Sequence, residues 1–168
     1  MKFIRLVCIA LVVGIVINVT QFIATLRPQN QESIKSFSQS CKQKDSLPKD
    51  TKYTVEILLK QAGTQNCTSA EQILNKQGGL TLSGNQISDL SPLKGLTNLM
   101  TLILKDNQIR DLSPLKGLTN LISLNLWDNQ ISDLSPLKGL TNLTSLGLGN
   151  NPIKNKICPV KAEYACRF

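Results

Sequence analysis

The eleven residues DLSPLKGLTNL stand at Asp89 to Leu99, again at Asp111 to Leu121 and again at Asp133 to Leu143, without a substitution. The copies start 22 residues apart, and their flanks keep the same spacing, with NQI at Asn85, Asn107 and Asn129. A fixed period in the twenties demands stacked turns of one supersecondary unit, a solenoid. The 168-residue chain is therefore organised around a repeat rather than around one closed core.

Written from Leu96, one unit is LTNLMTLILKDNQIRDLSPLKG, with apolar residues at Leu96, Leu99, Leu102, Leu104, Ile109, Leu112 and Leu115. The next unit, Leu118 to Gly139, repeats all seven, while a partial unit precedes and another follows, giving about four turns. Each LxL is expected to form a short strand with its leucines inward and the neighbouring side chains outward. Serine before proline at Ser91, Ser113 and Ser135 is expected to N-cap a single helical turn, with Gly95, Gly117 and Gly139 as left-handed exits. Asn85, Asn107, Asn129 and Asn151 fall at the corner after each strand, where an amide that both donates and accepts can satisfy successive turns as a ladder. Ordering 22 residues outweighs the burial of seven aliphatic side chains, so no turn is stable alone and the stack needs closed ends.

The ends differ from the repeat. LPKDTKYTVEILLKQAG from Leu47 places Thr51, Val55, Leu58, Leu59 and Ala62 on one helical face, and TSAEQILNKQGG opens with a capping box from Thr68 to Glu71 before Ala70, Ile73 and Leu74. A weaker helix carries Ile34, Phe37 and Cys41. After Asn151, KNKICPVKAEYACRF is expected to be an irregular disulfide lid. Residues 1–26 hold Lys2 and Arg5 before an apolar run from Leu6, which reads as an export signal, either cleaved or retained as an anchor. With Cys8 inside that segment, Cys41, Cys67, Cys158 and Cys166 remain, an even number that reads as two disulfides in an oxidising compartment. Three pairings are open, of which Cys41 with Cys67 and Cys158 with Cys166 is the most economical.

The division that follows is a signal or anchor over 1–26, a linker and helical cap over 27–79, repeats over 80–153 and a C-terminal cap over 154–168. The net charge of +8 is uneven. Residues 80–151 balance Lys94, Lys105, Arg110, Lys116 and Lys138 against Asp89, Asp106, Asp111, Asp128 and Asp133, so the excess lies outside the repeats. Balanced repeats without aromatic interleaving do not point to nucleic acid. No histidine is present, and no nucleophile has a base beside it, so the chain reads as no enzyme, with no cofactor and no metal. Asp106 and Asp128 sit at equivalent positions on adjacent turns, but two solvated carboxylates are too few for a calcium site.

Identical residues build a scaffold, whereas a particular partner requires a surface that changes from turn to turn. The outward strand positions change: Gly79, Thr81 and Ser83, then Thr101, Ile103 and Lys105, then Ser123, Asn125 and Trp127, then Ser145, Gly147 and Gly149. Thr101, Ile103, Lys105, Ser123, Asn125, Trp127, Asp128 and Ser145 are therefore the candidate protein-binding residues, around the single tryptophan. The alternative role for Trp127 is as a cover over neighbouring strands.

The unit L-x-x-L-x-L-x-x-N-x-I-x-D-L-x-P-L-x-x-L, matched from Leu80 to Ile153, resembles the bacterial 22-residue leucine-rich repeats of the internalin type. The cysteine-bearing flanks are similar to caps of small exported repeat proteins in cyanobacteria. The resemblance implies an α/β fold: a short, right-handed leucine-rich-repeat solenoid with a parallel concave sheet, a helical N-terminal cap and a disulfide C-terminal cap. It also implies a partner protein bound on the concave face; the N-terminal segment adds the expectation of a monomer that is exported and either secreted, periplasmic or anchored to the outer side of the cytoplasmic membrane through residues 6–26. The rival function is a structural envelope component whose concave face has no particular ligand.

Overall fold

Four of the L-x-L stretches become three-residue strands, β1 (Gly79–Thr81), β2 (Thr101–Ile103), β3 (Ser123–Asn125) and β4 (Ser145–Gly147), joined by a fifth, β5 (Cys166–Arg167). The structure is a computed structural model describing residues 36–162 and 165–168. The expectations for the export segment over 1–26, for membrane attachment through residues 6–26 and for Ile34 lie outside the described residues. Among those described, no helix is long and apolar enough to cross a membrane.

The sheet is parallel in the order β1-β2-β3-β4-β5. Its register follows the 22-residue period, with Leu80, Leu102, Leu124 and Leu146 aligned and each at most 2% exposed. Pairing continues past the strands: Leu104 N donates to Asn125 O at 2.8 Å and Asp106 N to Trp127 O at 2.9 Å. A left-handed residue then turns the chain at Gly84, Asp106, Asp128 and Asn150, with φ of 67°, 58°, 56° and 57°. Glycine, aspartate and asparagine are the residue types that tolerate this conformation. The acidic pair thus stands where the backbone bends.

Inside each corner the asparagine ladder closes. Asn107 Oδ1 accepts from Asn85 N and Ile87 N at 3.2 and 2.9 Å, and its Nδ2 donates to Leu82 O of the preceding turn and Leu104 O of its own, both at 2.9 Å. Asn129 reaches back in the same way to Ile109 N and Leu104 O, and Asn151 to Ile131 N and Leu126 O. The Asn85 side chain, with no preceding turn to reach, donates to Ser83 O of its own turn. Each rung is side chain to backbone, so buried peptide groups of two turns are satisfied by one amide.

The return legs are short 3-10 turns, Ser91–Leu93, Ser113–Gly117 and Ser135–Gly139. Two expectations change here. The serines lie within the turns and provide no side-chain cap; Asp89, Asp111 and Asp133 do so instead, each Oδ1 accepting from the serine N two residues on at 2.8 Å. Ser135 N, followed by its hydroxyl, holds Asp133 below the usual carboxylate range. The glycine exits are not left-handed either: the left-handed glycines among the described residues are Gly63, Gly78 and Gly84. A 3-10 turn ends with Leu118 N on Leu115 O and Leu140 N on Leu137 O, both at 3.0 Å, and needs no such residue.

Three helices close the first turn: α1 (Phe37–Lys42), α2 (Lys49–Ala62) and α3 (Cys67–Gln77). α2 buries Thr51, Val55, Leu58, Leu59 and Ala62 and ends at left-handed Gly63. The Thr68–Glu71 box does not cap α3; Asn66 does, accepting from Ser69 N at 2.9 Å, because the helix starts one residue earlier at Cys67. That leaves Glu71 to accept from Ser38 N at 3.3 Å and tie α3 to α1, beside the Cys41–Cys67 disulfide. Ile73 is only partly buried. At the other end Cys158 pairs with Cys166, and the expected irregular lid instead supplies β5, with Leu148 N donating to Arg167 O at 2.7 Å. The sheet edge at β4 is thereby covered.

Asp89 joins cap to repeats, because its carboxylate also accepts from Thr51 Oγ1 and its carbonyl from Thr54 Oγ1 at 2.8 Å. Asp89→Ala is expected to lower unfolding free energy by about 2 kcal/mol in urea titrations, more than Asp111→Ala, whose carboxylate bonds only its own turn. Equal losses would contradict the joint.

Candidate functional site

The outward strand positions form three rows across the sheet, because the register aligns residues 22 apart. Thr101, Ser123 and Ser145 share one row, and Ile103, Asn125 and Gly147 the next, which Arg167 of β5 extends. One step along each chain stand Ser83, Lys105, Trp127 and Gly149. The candidate residues Thr101, Ile103, Lys105, Ser123, Asn125, Trp127 and Ser145 therefore lie on one face, with Asp128 at its edge.

Trp127 is half-buried, and its position explains the glycines after it. A Cβ at Gly147 would stand 2.5 Å from Trp127 Cδ1 and Nε1, and one at Gly149 would stand 2.8 Å from Cε3. The indole therefore lies across the β4 backbone, over a floor that only glycine leaves open. Asn125 Oδ1 accepts from Trp127 N at 3.1 Å and fixes the chain beneath it. Trp127 thus covers a neighbouring strand and also contributes aromatic surface to the face. The glycines at 147 and 149, which break the size pattern of the sheet, are the sequence signal for this arrangement.

Lys105 and Asp128 at the rim are paired with each other. Lys105 Nζ stands 3.6 Å from Asp128 Oδ2, and Asn150 Nδ2 donates to Asp128 Oδ1 at 2.6 Å. Partly exposed, this pair contributes little stability but orients both side chains. Among the described residues no group of three or more histidine, cysteine, aspartate or glutamate side chains is placed to hold a metal.

Two features escaped the sequence reading. A second asparagine column runs through the repeated segment itself, with Asn120 Nδ2 on Thr97 O and Asn142 Nδ2 on Thr119 O, both at 2.9 Å. Beside it, Met100 and Ile122, 49% and 44% exposed, line a shallow groove with Asn98, Asn120, Asn142 and Thr144. Both lie just outside the L-x-L window, where the recurrence of Asn98, Asn120 and Asn142 and the variation of Met100, Ile122 and Thr144 were the available signals.

The family model for leucine rich repeats matches two copies, over residues 79–118 and 119–159. Among solved structures the chain is similar to an internalin C2 from Listeria monocytogenes str. 4b F2365, at 39% identity over 49% of this chain and 37% of that one, with a TM-score of 0.44. It is similar to an internalin F of the same strain at 30% identity over 64% and 38%, TM-score 0.49. It is also similar to the functional domain of InlJ from Listeria monocytogenes, which includes a cysteine ladder, at 26% identity over 54% and 20%, TM-score 0.47. The chain thus spans from 20% to 38% of the length of these structures. No curated protein matches it significantly.

Gly147→Ala is expected to lift the indole off its floor and shift tryptophan emission to longer wavelength. Gly117→Ala, where a Cβ meets nothing within 4 Å, is expected to leave emission unchanged. Identical spectra for the two variants would contradict the packing.

Proposed function

We propose that the chain, which carries leucine-rich repeats over residues 79–159 in a 22-residue unit that resembles the internalin type, is a non-enzymatic, exported protein-interaction module. It binds a partner protein through the concave face, with Ile103 and Trp127 at the centre and Thr101, Lys105, Ser123, Asn125, Asp128 and Ser145 around them. Residues 1–26 act as signal or anchor, 27–79 as linker and N-terminal cap, 80–153 as repeats and 154–168 as C-terminal cap. The two disulfides support an oxidising compartment, and with it a secreted or periplasmic location or anchorage to the outer side of the cytoplasmic membrane.

One observation carries the reading. The buried leucines and the corner asparagines bonded to the backbone recur in every turn, whereas the outward strand positions vary and include the single tryptophan. A rigid sheet that presents a large aromatic among small polar side chains has the composition of a protein-binding hot spot.

The glycine floor supports the rival reading, a structural envelope component in which Trp127 serves only as cover. Pull-downs from an envelope extract with the full chain and with Trp127→Ala separate the two. The binding reading expects one partner to be recovered about thirtyfold less by the variant. Because the substitution also empties the space above Gly147 and Gly149, Ile103→Lys, which alters surface alone, is expected to reduce recovery of the same partner. Equal recovery of every protein by wild type and both variants supports the rival and ends the binding reading.

A further inference from the structure

We infer that the segment bound by the concave face is extended and carries a carboxylate two residues from an apolar side chain, the first meeting Arg167 and the second Trp127. This rests on the concave-face reading above and specifies its partner's chemistry.

β5 brings Arg167 into the site. Cys166 aligns with Leu146 and packs against the core, so Arg167, aligned with Gly147, stands on the opposite, outward face. The side chain that the sequence left in a C-terminal lid thereby belongs to the same row as Ile103 and Asn125.

Arg167 differs in pairing from the other charges there. Lys105 and Asp128 face each other, and Asn150 holds the remaining carboxylate oxygen. Among the described residues the Arg167 guanidinium has no ion pair, the two ion pairs being Lys52 with Asp45 and Lys105 with Asp128. Its surroundings in sequence are also basic: residues 152–168 hold Lys154, Lys156, Lys161 and Arg167 against Glu163. The three lysines are exposed. An approaching acidic group meets a favourable field at this end of the sheet and a neutral one over the repeats. A planar guanidinium also matches a carboxylate with two parallel hydrogen bonds.

The spacing follows from the sheet. The Trp127 indole lies over Gly147 and Gly149 of the β4 chain, one strand spacing, about 5 Å, from β5 and Arg167. An extended chain laid across the strands rises about 3.3 Å per residue and returns a side chain to the same face at every second position, so residues two apart meet the indole and the guanidinium.

Trp127 is the sole tryptophan, so its emission reports occupancy directly. The full chain is titrated with three blocked synthetic tripeptides, leucine-serine-glutamate, leucine-serine-lysine and serine-serine-glutamate. The first is expected to shift the emission saturably at about one tenth the concentration that the second requires, and to bind more tightly than the third. Arg167→Gln, on an exposed side chain that leaves the strand's backbone pairing intact, is expected to remove the tenfold advantage of the first peptide and leave the second unchanged. Far-ultraviolet circular dichroism checks that the variant keeps its fold. Equal binding of all three peptides overturns the carboxylate assignment while leaving the concave face a binding surface. An emission that no peptide moves, or an advantage that survives Arg167→Gln, overturns it too. Failure of the underlying reading is distinct: it is the pull-down insensitive to Trp127→Ala.

Discussion

One amide per turn holds this protein together. From Asn107 on, each corner asparagine accepts a backbone N–H from the turn before and donates to carbonyls on both turns. A bend after a strand leaves peptide groups inside the solenoid with no strand to pair with, and burying them unpaired costs more than the aliphatic side chains of that corner contribute. The bond also fixes the offset between turns at one period, so the leucines of successive strands align and the sheet register follows. The left-handed residue before each asparagine aims the amide inward, which is why Gly84, Asp106, Asp128 and Asn150 form a column of their own.

A scaffold of this kind separates structure from recognition along the chain. The inward leucines and the corner asparagines are fixed by stacking and recur in each turn; the outward strand positions differ from turn to turn. Trp127 sits on that boundary, since one side of the indole needs the glycines beneath it and the other lies open on the face. The caps complete the arrangement differently at each end: Asp89 bonds α2 at the first turn, while β5 adds a strand at the last.

The architecture was legible because the 22-residue period and the alternation of L-x-L each have one structural solution. Strand positions, the asparagine ladder, the face holding Ile103 and Trp127, and the faces of α2 and α3 follow from those patterns. Local chemistry was less legible where two groups compete for one role. Ser91 and Asp89 both have the chemistry of a cap, and the aspartate prevails because its longer reach places Oδ1 on the serine N–H. Asn66 and Thr68 compete likewise at α3, decided by where the disulfide at Cys67 starts the helix. Gly117 and Gly139 have ordinary backbone angles and open space around them, and nothing in the structure explains why they are glycine. β5 was hidden because its two residues carry no period, and its strand exists only through pairing with β4.

The central claim, that the inter-turn amides carry the stack, is tested most directly by comparing Asn129→Asp with Asn85→Asp in equilibrium urea unfolding. Both changes keep shape and replace a donor with an acceptor. In Asn129 the replaced Nδ2 serves Leu104 O, Leu126 O and Trp127 O in a buried corner; in Asn85 it serves only Ser83 O. The account predicts a loss of about 3 kcal/mol or more for Asn129→Asp and well under 1 kcal/mol for Asn85→Asp. Equal losses at the two positions would contradict it.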